Sequence, residues 1–399
     1  MPESSDPRTR CGIDTVEIAR IERLLRETPA DDLSKIFSTE ELCDRGDQAG
    51  RAASLAARFA AKEACLKLFP RETALGEVGP ADFAVARDGY GAPHVVCSAT
   101  ALALLDRYRL KTIALSLTHD KTSASAVAVT EPAPIAVPLA GKLIYHLLPI
   151  RRRVVLSNLH RVFGSTLPDA EITRIAQAHY AHLARVLVEF LRQPWRSPAV
   201  RVDNIEAILR AHAQGKGVLV LTGHFGNWEV ATVGGIANFP QYRGQFHFVR
   251  RPLHPRWLDR LVTRRFRRGG FGVLPKRGAL DAILDRLAAG DAVVFVLDQH
   301  AGGRDGVEVD FFGHPAGTFR SLAILALATG APVVPTATWR EPDGRHVLRF
   351  EEALPVIEHE DTNAAIRANT RAYNAALERL VLRHPEQWFW VHRRWKPNP

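Results

Sequence analysis

The chain has 399 residues, 46% of them hydrophobic and 24% charged. That mix excludes a disordered or fibrous chain, and at ~100–200 residues per domain it predicts two or three domains. Lys and Arg number 53 against 43 Asp and Glu. The excess is uneven: residues 1–133 carry 17 basic and 20 acidic side chains and the rest carry 36 and 23, so two parts with different partners are expected. The N-terminus, MPESSDPRTR, has no signal-peptide core. The most apolar stretch, residues 135–150, is interrupted by Pro138, Gly141 and Lys142, too short a run for a bilayer span. A cytoplasmic chain is expected, at most peripheral on the inner face of the cytoplasmic membrane. Cys11, Cys43, Cys65 and Cys97 lack metal-ligand spacing and read as small buried residues of a reducing compartment. No nucleic-acid module accompanies the basic charge.

The first part reads as mixed α and β. GIDTVEIARIERLL is a strand running into a helix, and SLAARFAAKEACLKLF (54–69) is an Ala-rich helix. Residues 82–98 form a hairpin around Asp88-Gly89, and 112–130 hold two alternating strands. On the 54–69 helix, Lys62 and Glu63 fall in the register of the apolar stripe Leu55, Phe59 and Leu66. Charges there are costly unless they have partners or work. Arg58 and Lys67 flank them, and a carboxylate among basic groups suits a metal-bound polyphosphate. Asp14, at a strand end, is a second ligand candidate; two carboxylates with phosphate oxygens and water is a usual way to hold Mg²⁺. Ordinary surface charge pairing is the alternative.

Residues ~11–130 resemble the holo-acyl-carrier-protein synthase family of phosphopantetheinyl transferases. The likeness is carried by GIDTVEI, KIFSTEEL, AARFAAKEACLK and SLTHD. It implies an α+β fold, Asp14 and Glu63 as metal ligands, and Lys62 and Lys67 as phosphate or proton-transfer groups. It also implies His119 as a coenzyme A contact and Arg20 as a contact to an acidic carrier protein. The implied reaction moves phosphopantetheine from coenzyme A to a carrier-protein serine with Mg²⁺ in a homotrimer. The family's Gly-Thr-Gly loop is replaced by FPRETALGEVG (69–79).

Prolines crowd TEPAPIAVPLAG (130–141), which predicts a linker. The domains expected are 1–130, a linker 131–141, and 142–399. The second part opens with helices over 152–164 and 170–193. Buried strands over 217–223, 245–250, 292–298 and 331–339 then alternate with helices over 255–268, 278–289 and 318–329. That pattern predicts an α/β fold with a largely parallel sheet flanked by helices. Ligands collect beyond the carboxyl ends of such strands, where His224, Arg250, Arg251, Asp298 and Gln299 stand. In LTGHFGNWE, Gly223 and Gly226 allow a tight turn before a helix near Asn227. Glu229 then braces the His224 imidazole, making a general base for a hydroxyl. A purely structural histidine is the alternative. With no G-x-S-x-G elbow, direct attack by an acceptor hydroxyl is expected. The 256–268 helix carries arginines at i, i+4 spacing with Trp257, Leu258, Leu261 and Phe266 on the other side. It suits anionic lipid, an acidic carrier protein, or plain solvent.

Residues ~142–396 resemble the lysophospholipid acyltransferase superfamily, and within it the late acyltransferases of lipid A synthesis. The likeness is carried by His224 and Glu229, by FVRRP, by VFVLDQHAGGRDGVEVDFFG, by TGAPVVPT and by PEQWFWVHRRWK. It implies acyl transfer from an acyl thioester, commonly acyl carrier protein, to a hydroxyl of a lipid or glycolipid. His224 and Glu229 would be catalytic, and Arg250, Arg251, Asp298 and Gln299 would bind substrate. Together the two parts read as a bifunctional enzyme built around one acyl carrier protein. The alternative is a single acyltransferase with a non-catalytic carrier-docking module in front.

Overall fold

The computed structural model describes residues 9–43, 50–70, 76–148, 150–192, 200–250, 254–275 and 278–396. The chain divides into two compact units, Met1–Pro134 and Ile135–Pro399.

In the first unit, strands β1 (Arg10–Glu17), β4 (Ala114–His119) and β5 (Ser123–Thr130) form an antiparallel sheet in the order β1-β5-β4. Strands β2 (Phe83–Arg87) and β3 (Pro93–Cys97) form the separate hairpin. The long helix is Arg51–Leu66. Strand β5 alternates, turning Ala124, Ala126 and Ala128 inward, and these small residues bring the helix close to the sheet. The approach is closest at Gly12, where an added Cβ would lie 2.0 Å from the Ala64 carbonyl oxygen. Only glycine permits β1 to lie so near the helix.

The costly register position on that helix is resolved by pairing. Lys62 is fully buried, and its Nζ reaches Glu41 Oε2 at 2.9 Å and the carbonyls of Phe83 at 3.0 Å and Pro80 at 3.2 Å. Glu41 in turn accepts from the Ser38 and Val85 amides. Burial pulls the Lys62 ammonium below its usual range, and Glu41 opposes that pull. All three donors of the ammonium are engaged, so Lys62 is a structural tie and not the phosphate or proton-transfer group expected. The cysteines also differ from expectation, for Cys65 is buried but Cys11 and Cys43 are exposed.

In the second unit, a seven-stranded sheet runs β6-β14-β13-β7-β10-β8-β9. The strands are β6 (Val200–Asp203), β7 (Val218–Thr222), β8 (Phe246–Arg250), β9 (Phe271–Pro275), β10 (Ala292–Val296), β13 (Val333–Arg340) and β14 (His346–Phe350). The pair β13–β14 is antiparallel and the other pairs are parallel. A hairpin of β11 (Gly306–Phe311) and β12 (His314–Phe319) lies outside it. Both faces are covered, so the central strands are near-continuous apolar runs. Leu219, Leu221, Val293 and Phe295 face one core, which includes the buried Trp388 and Trp390. Val218, Val220, Ala292 and Val294 face a second core with Phe248, Phe266 and Phe271. The α+β and largely parallel α/β classes are those expected. A helix already begins at Leu139, behind Pro138, inside the stretch read as linker.

Lys62→Met leaves a charge on Glu41 with no counter-ion inside the protein. It should destabilise the first unit by about 3–5 kcal/mol in urea unfolding, and adding Glu41→Gln should restore much of that loss.

Candidate active sites

The register of the large sheet builds the second unit's site. Thr222 ends β7 directly opposite Val296, which ends β10. Two residues further along each strand stand His224 and Asp298. His224 Nδ1–H donates to Asp298 Oδ1 at 2.9 Å, and the His224 amide donates to Oδ2 at 2.7 Å. A carboxylate can only accept, so Nδ1 carries the proton and Nε2 is left as the base. The Trp388 indole Nε1–H also donates to Oδ2, at 2.8 Å. Asp298 is buried, and its lone pairs are taken by protein donors.

The turn that carries His224 depends on its glycines. A Cβ on Gly223 would lie 2.9 Å from Asp298 Oδ2. Gly226 has φ +53° and leaves no room, since its Cβ would meet the Thr338 carbonyl at 2.6 Å. The turn is held on its outer side by the C-terminal segment: the Gly226 amide donates to the Gln387 carbonyl at 2.9 Å and the Phe389 amide to the His224 carbonyl at 3.1 Å. Asn227 caps the following helix, Trp228–Ala237, through the Val230 amide. Its Nδ2 donates to Glu189, which also accepts from Arg340.

Burial works against a charged His224, but the Asp298 carboxylate outweighs it and holds the imidazole above its usual pKa. Burial pushes Asp298 up, and His224 and Trp388 together bring it below the ordinary range. Gln299 Nε2 lies 3.5 Å from His224 Nε2.

Two expectations are corrected here. The carboxylate that braces His224 is Asp298, not Glu229. Burial raises the Glu229 carboxyl, and the Arg265 and Arg250 charges oppose that rise. Nor does Asp298 meet substrate, because it sits behind the histidine with its oxygens occupied. Arg250 lies at the end of β8, next to β10, with its guanidinium on Thr263 at 3.0 Å and on Asp259 at 2.5 Å. Arg251 lies outside the described residues. The helix Arg256–Arg268 does not segregate its charges as expected. Trp257 is 65% exposed and Leu261 is also exposed, among the exposed Arg256, Arg260, Arg264, Arg267 and Arg268, while Phe266 turns inward to stack on Trp228 at 5.6 Å. Glu189 and Arg340 were missed in the sequence because nothing local marks them; Trp388 stands in the PEQWFWVHRRWK motif, but its bond to Asp298 has no local signal.

An apolar cavity opens beside His224. Val220, Thr222, Trp228, Phe248, Val294 and Val296 are among its walls.

In the first unit, Gly12 lets Asp14 approach Glu63. The Glu63 carboxyl is raised first by burial and then by the Asp14 charge, with Lys67 and Arg20 opposing. Lys67 Nζ bonds Asp14 Oδ1 and the Ile13 carbonyl, both at 2.8 Å. Arg20 is exposed and sits over the Phe59 ring, 5.9 Å from its centroid. His119 pairs with Ala124, which pairs with Val16, two residues along β1 from Asp14. Directly paired residues share a face, so His119 and Asp14 look toward the same helix. His119 lines a polar hollow with Ser54, Arg58, Arg87 and Thr118. Asp14, Glu63, Lys67 and Arg20 are thus gathered, and Lys62 is not among them. The 69–79 loop lies partly outside the described residues. Among the described residues no group of three or more His, Cys, Asp or Glu forms a metal site. Asp14 and Glu63, near enough for the Asp14 charge to raise the Glu63 carboxyl, offer hard oxygens that fit a Mg²⁺ completing its shell with phosphate and water.

In the second unit, Asp298→Asn removes the charge that raises His224. The acid limb of the rate profile should move down in pH, and kcat should fall by about 10²–10⁴. Trp388→Phe, which strips one donor from Asp298, should move that limb the opposite way with KM little changed. Steady-state kinetics across pH checks both.

The family model for bacterial lipid A biosynthesis acyltransferases matches residues 134–397, and that of the 4′-phosphopantetheinyl transferase superfamily matches residues 10–128. Phosphatidylinositol mannoside acyltransferase of Mycolicibacterium smegmatis is 28% identical over 255 residues, covering 60% of this chain and 77% of that protein. Lipid A biosynthesis lauroyltransferase of Escherichia coli is 26% identical over 286 residues, covering 68% and 89%. Holo-[acyl-carrier-protein] synthase of Treponema denticola is 42% identical over 123 residues, covering 30% of this chain and 95% of that protein. The chain therefore belongs through its larger part to the bacterial lipid A biosynthesis acyltransferase family, and through its first part to the 4′-phosphopantetheinyl transferase superfamily as a holo-acyl-carrier-protein synthase domain.

Proposed function

We propose that the second unit transfers an acyl group from an acyl carrier protein thioester to a hydroxyl of a lipid or glycolipid acceptor. The observation that carries this reading is the His224–Asp298 pair at the mouth of an apolar cavity. His224 Nε2 takes the acceptor's proton as its oxygen attacks the thioester carbonyl. The C–S bond then breaks, and the imidazolium returns the proton to the leaving thiolate. Asp298 fixes the ring and stabilises its charged form. The cavity takes the acyl chain, and Arg250, Arg251 and Gln299 bind the polar parts of the substrates.

No helix among the described residues is long and apolar enough to cross a membrane. Peripheral contact fits the exposed arginines and Trp257 of the helix Arg256–Arg268, and the exposed Leu139, Leu143 and Leu147 at i, i+4 spacing on the helix Leu139–Leu147. The protein should esterify labelled acyl groups from acyl carrier protein onto material in membrane extract and not in soluble extract. His224→Ala should lower that rate by about 10²-fold or more.

For the first unit the reading is transfer of phosphopantetheine from coenzyme A to a serine of the same carrier protein. The serine oxygen forms a bond to phosphorus, the pyrophosphate bond breaks, and adenosine 3′,5′-bisphosphate leaves, the serine proton passing to the released phosphate or to water. Asp14 and Glu63 would hold Mg²⁺, which when bound offsets the pyrophosphate charge. Lys67 holds the Asp14 carboxylate in place, His119 and Arg58 line the hollow for the coenzyme, and Arg20 meets the acidic carrier. A homotrimer through this unit is part of the reading. The second reading is a docking module without activity. Mass spectrometry of apo-carrier protein after incubation with the protein, coenzyme A and Mg²⁺ separates the two. A gain of one phosphopantetheine arm, lost in Glu63→Gln, is the result expected.

A further inference from the structure

Two stretches of chain pass beside His224: residues 298–301, which follow β10, and residues 388–396 of the C-terminal segment. They are tied to each other at two points. At one, Trp388 donates to Asp298 at 2.8 Å. At the other, the Gly317 carbonyl of β12 accepts both the Ala301 amide at 3.0 Å and an Arg394 N–H at 2.5 Å. A Cβ on Gly317 would lie 2.2 Å from the Ala301 carbonyl oxygen and 3.0 Å from His300 Cε1, so only glycine admits this approach. Asn158 holds the second stretch through the Trp390 and His392 carbonyls, and the Phe389 amide ties it to the His224 carbonyl. Between the two ties stand two further histidines, His300 and His392. The Nδ1 of each is buried without a hydrogen-bond partner.

The charges around these histidines do not balance. Arg394 is fully buried. Besides the Gly317 carbonyl it reaches the Thr318 hydroxyl at 2.6 Å and the Asn374 side-chain carbonyl at 3.3 Å. None of these partners is a carboxylate, and its Nε has no partner. Burial pulls the guanidinium down to about 10, with Asp298 and Glu378 opposing. Both carboxylates are already engaged, Asp298 by His224 and Trp388 and Glu378 by Arg371 and the Phe312 amide. Lys396 is exposed close by. Burial holds His392 down to about 4; Asp298 opposes this, and His224, Arg394 and Lys396 add to it. His300 is lowered first by burial and then by Arg394 and Lys396. Two neutral imidazoles thus stand beside two cations. A buried cation without a counter-ion is costly, and an anion seated among these groups offsets that cost. Arg250 is in a different position, for its guanidinium is already paired with Asp259.

We propose that His300, His392, Arg394 and Lys396 form a subsite beside His224 for a phosphate ester carried by one of the two substrates. The inference rests on the reading of His224 as the acyl-transfer base. Imidazole N–H groups and the ammonium donate to the phosphate oxygens, and Arg394 supplies positive charge from within the protein. Hydrogen bonds between such donors and an ionised acceptor are the strong ones. The ties at Asp298 and Gly317 hold the donors in place before the ligand arrives, which lowers the cost of binding. The phosphate belongs either to the phosphopantetheine arm that carries the acyl thioester or to the lipid acceptor, and the chemistry of recognition is the same for both.

The test uses the full chain in two arms. The first measures binding of inorganic phosphate to His224→Ala by calorimetry at constant ionic strength, which reads the subsite without acyl transfer. Lys396→Gln and His392→Gln, each added to His224→Ala, should weaken binding about tenfold, and Lys396→Arg should retain it. Lys396 is exposed, so its substitution keeps the fold, which circular dichroism checks. The second arm follows acyl transfer from acyl carrier protein to membrane extract with inorganic phosphate as inhibitor. Relief by excess acyl donor assigns the phosphate to the phosphopantetheine arm, and relief by excess membrane extract assigns it to the acceptor. Lys396→Gln should need about tenfold more phosphate for the same inhibition. If no ester forms but phosphate binding still responds to Lys396→Gln, the acyl-transfer reading falls and the subsite stands. Phosphate binding that is unchanged in both Lys396→Gln and His392→Gln, or inhibition that neither substrate relieves, overturns the proposal.

Discussion

A buried carboxylate is tolerable only when its lone pairs find donors, and the second unit is arranged around meeting that demand at Asp298. The donors come from two other stretches of chain, the His224 backbone and ring and the Trp388 indole. Each contact also does something for the histidine. The amide bond fixes the turn, the ring bond fixes the tautomer, and the indole bond fixes the carboxylate. The parallel register of β7 and β10 places the two ends level, and the C-terminal segment locks them from outside.

The two units solve a common steric problem in the same way. Each must bring charged or polar side chains from separate elements within hydrogen-bond reach, and each removes a Cβ to do it. Gly12 lets β1 lie against the helix that carries Glu63, and Gly223 clears the space that Asp298 enters. The difference lies in what stands behind the polar groups. Asp298 is enclosed, whereas Asp14 is half-buried and its partner Lys67 is exposed.

Much of this was legible in the sequence. The glycines around His224, the polar residues at strand ends and the alanine-rich helix with Glu63 all mark their places locally. The bracing partner was misassigned because Glu229 is near in sequence while Asp298 is near in space, and sheet register is invisible until strand order is known. Lys62 was misread because its counter-ion, Glu41, lies on a short separate helix, Thr39–Cys43. The strands β6, β9 and β14 escaped notice: β6 has only four residues, β9 contains Gly272 and Pro275, and β14 carries His346 and Arg349 among its apolar residues. The β11–β12 hairpin lies in a segment interrupted by Gly303, Gly306, Gly313 and Gly317, for which no strand was expected.

The bonds that complete the second unit's site join residues 74 and 90 positions apart in the chain. Contacts of such long range form late, since the intervening chain must be ordered first. A collapsed intermediate with its helices formed would still lack an oriented base. Recovery of ester formation during refolding should therefore lag behind the return of helical circular dichroism, making turnover itself a clock for the last ordering step.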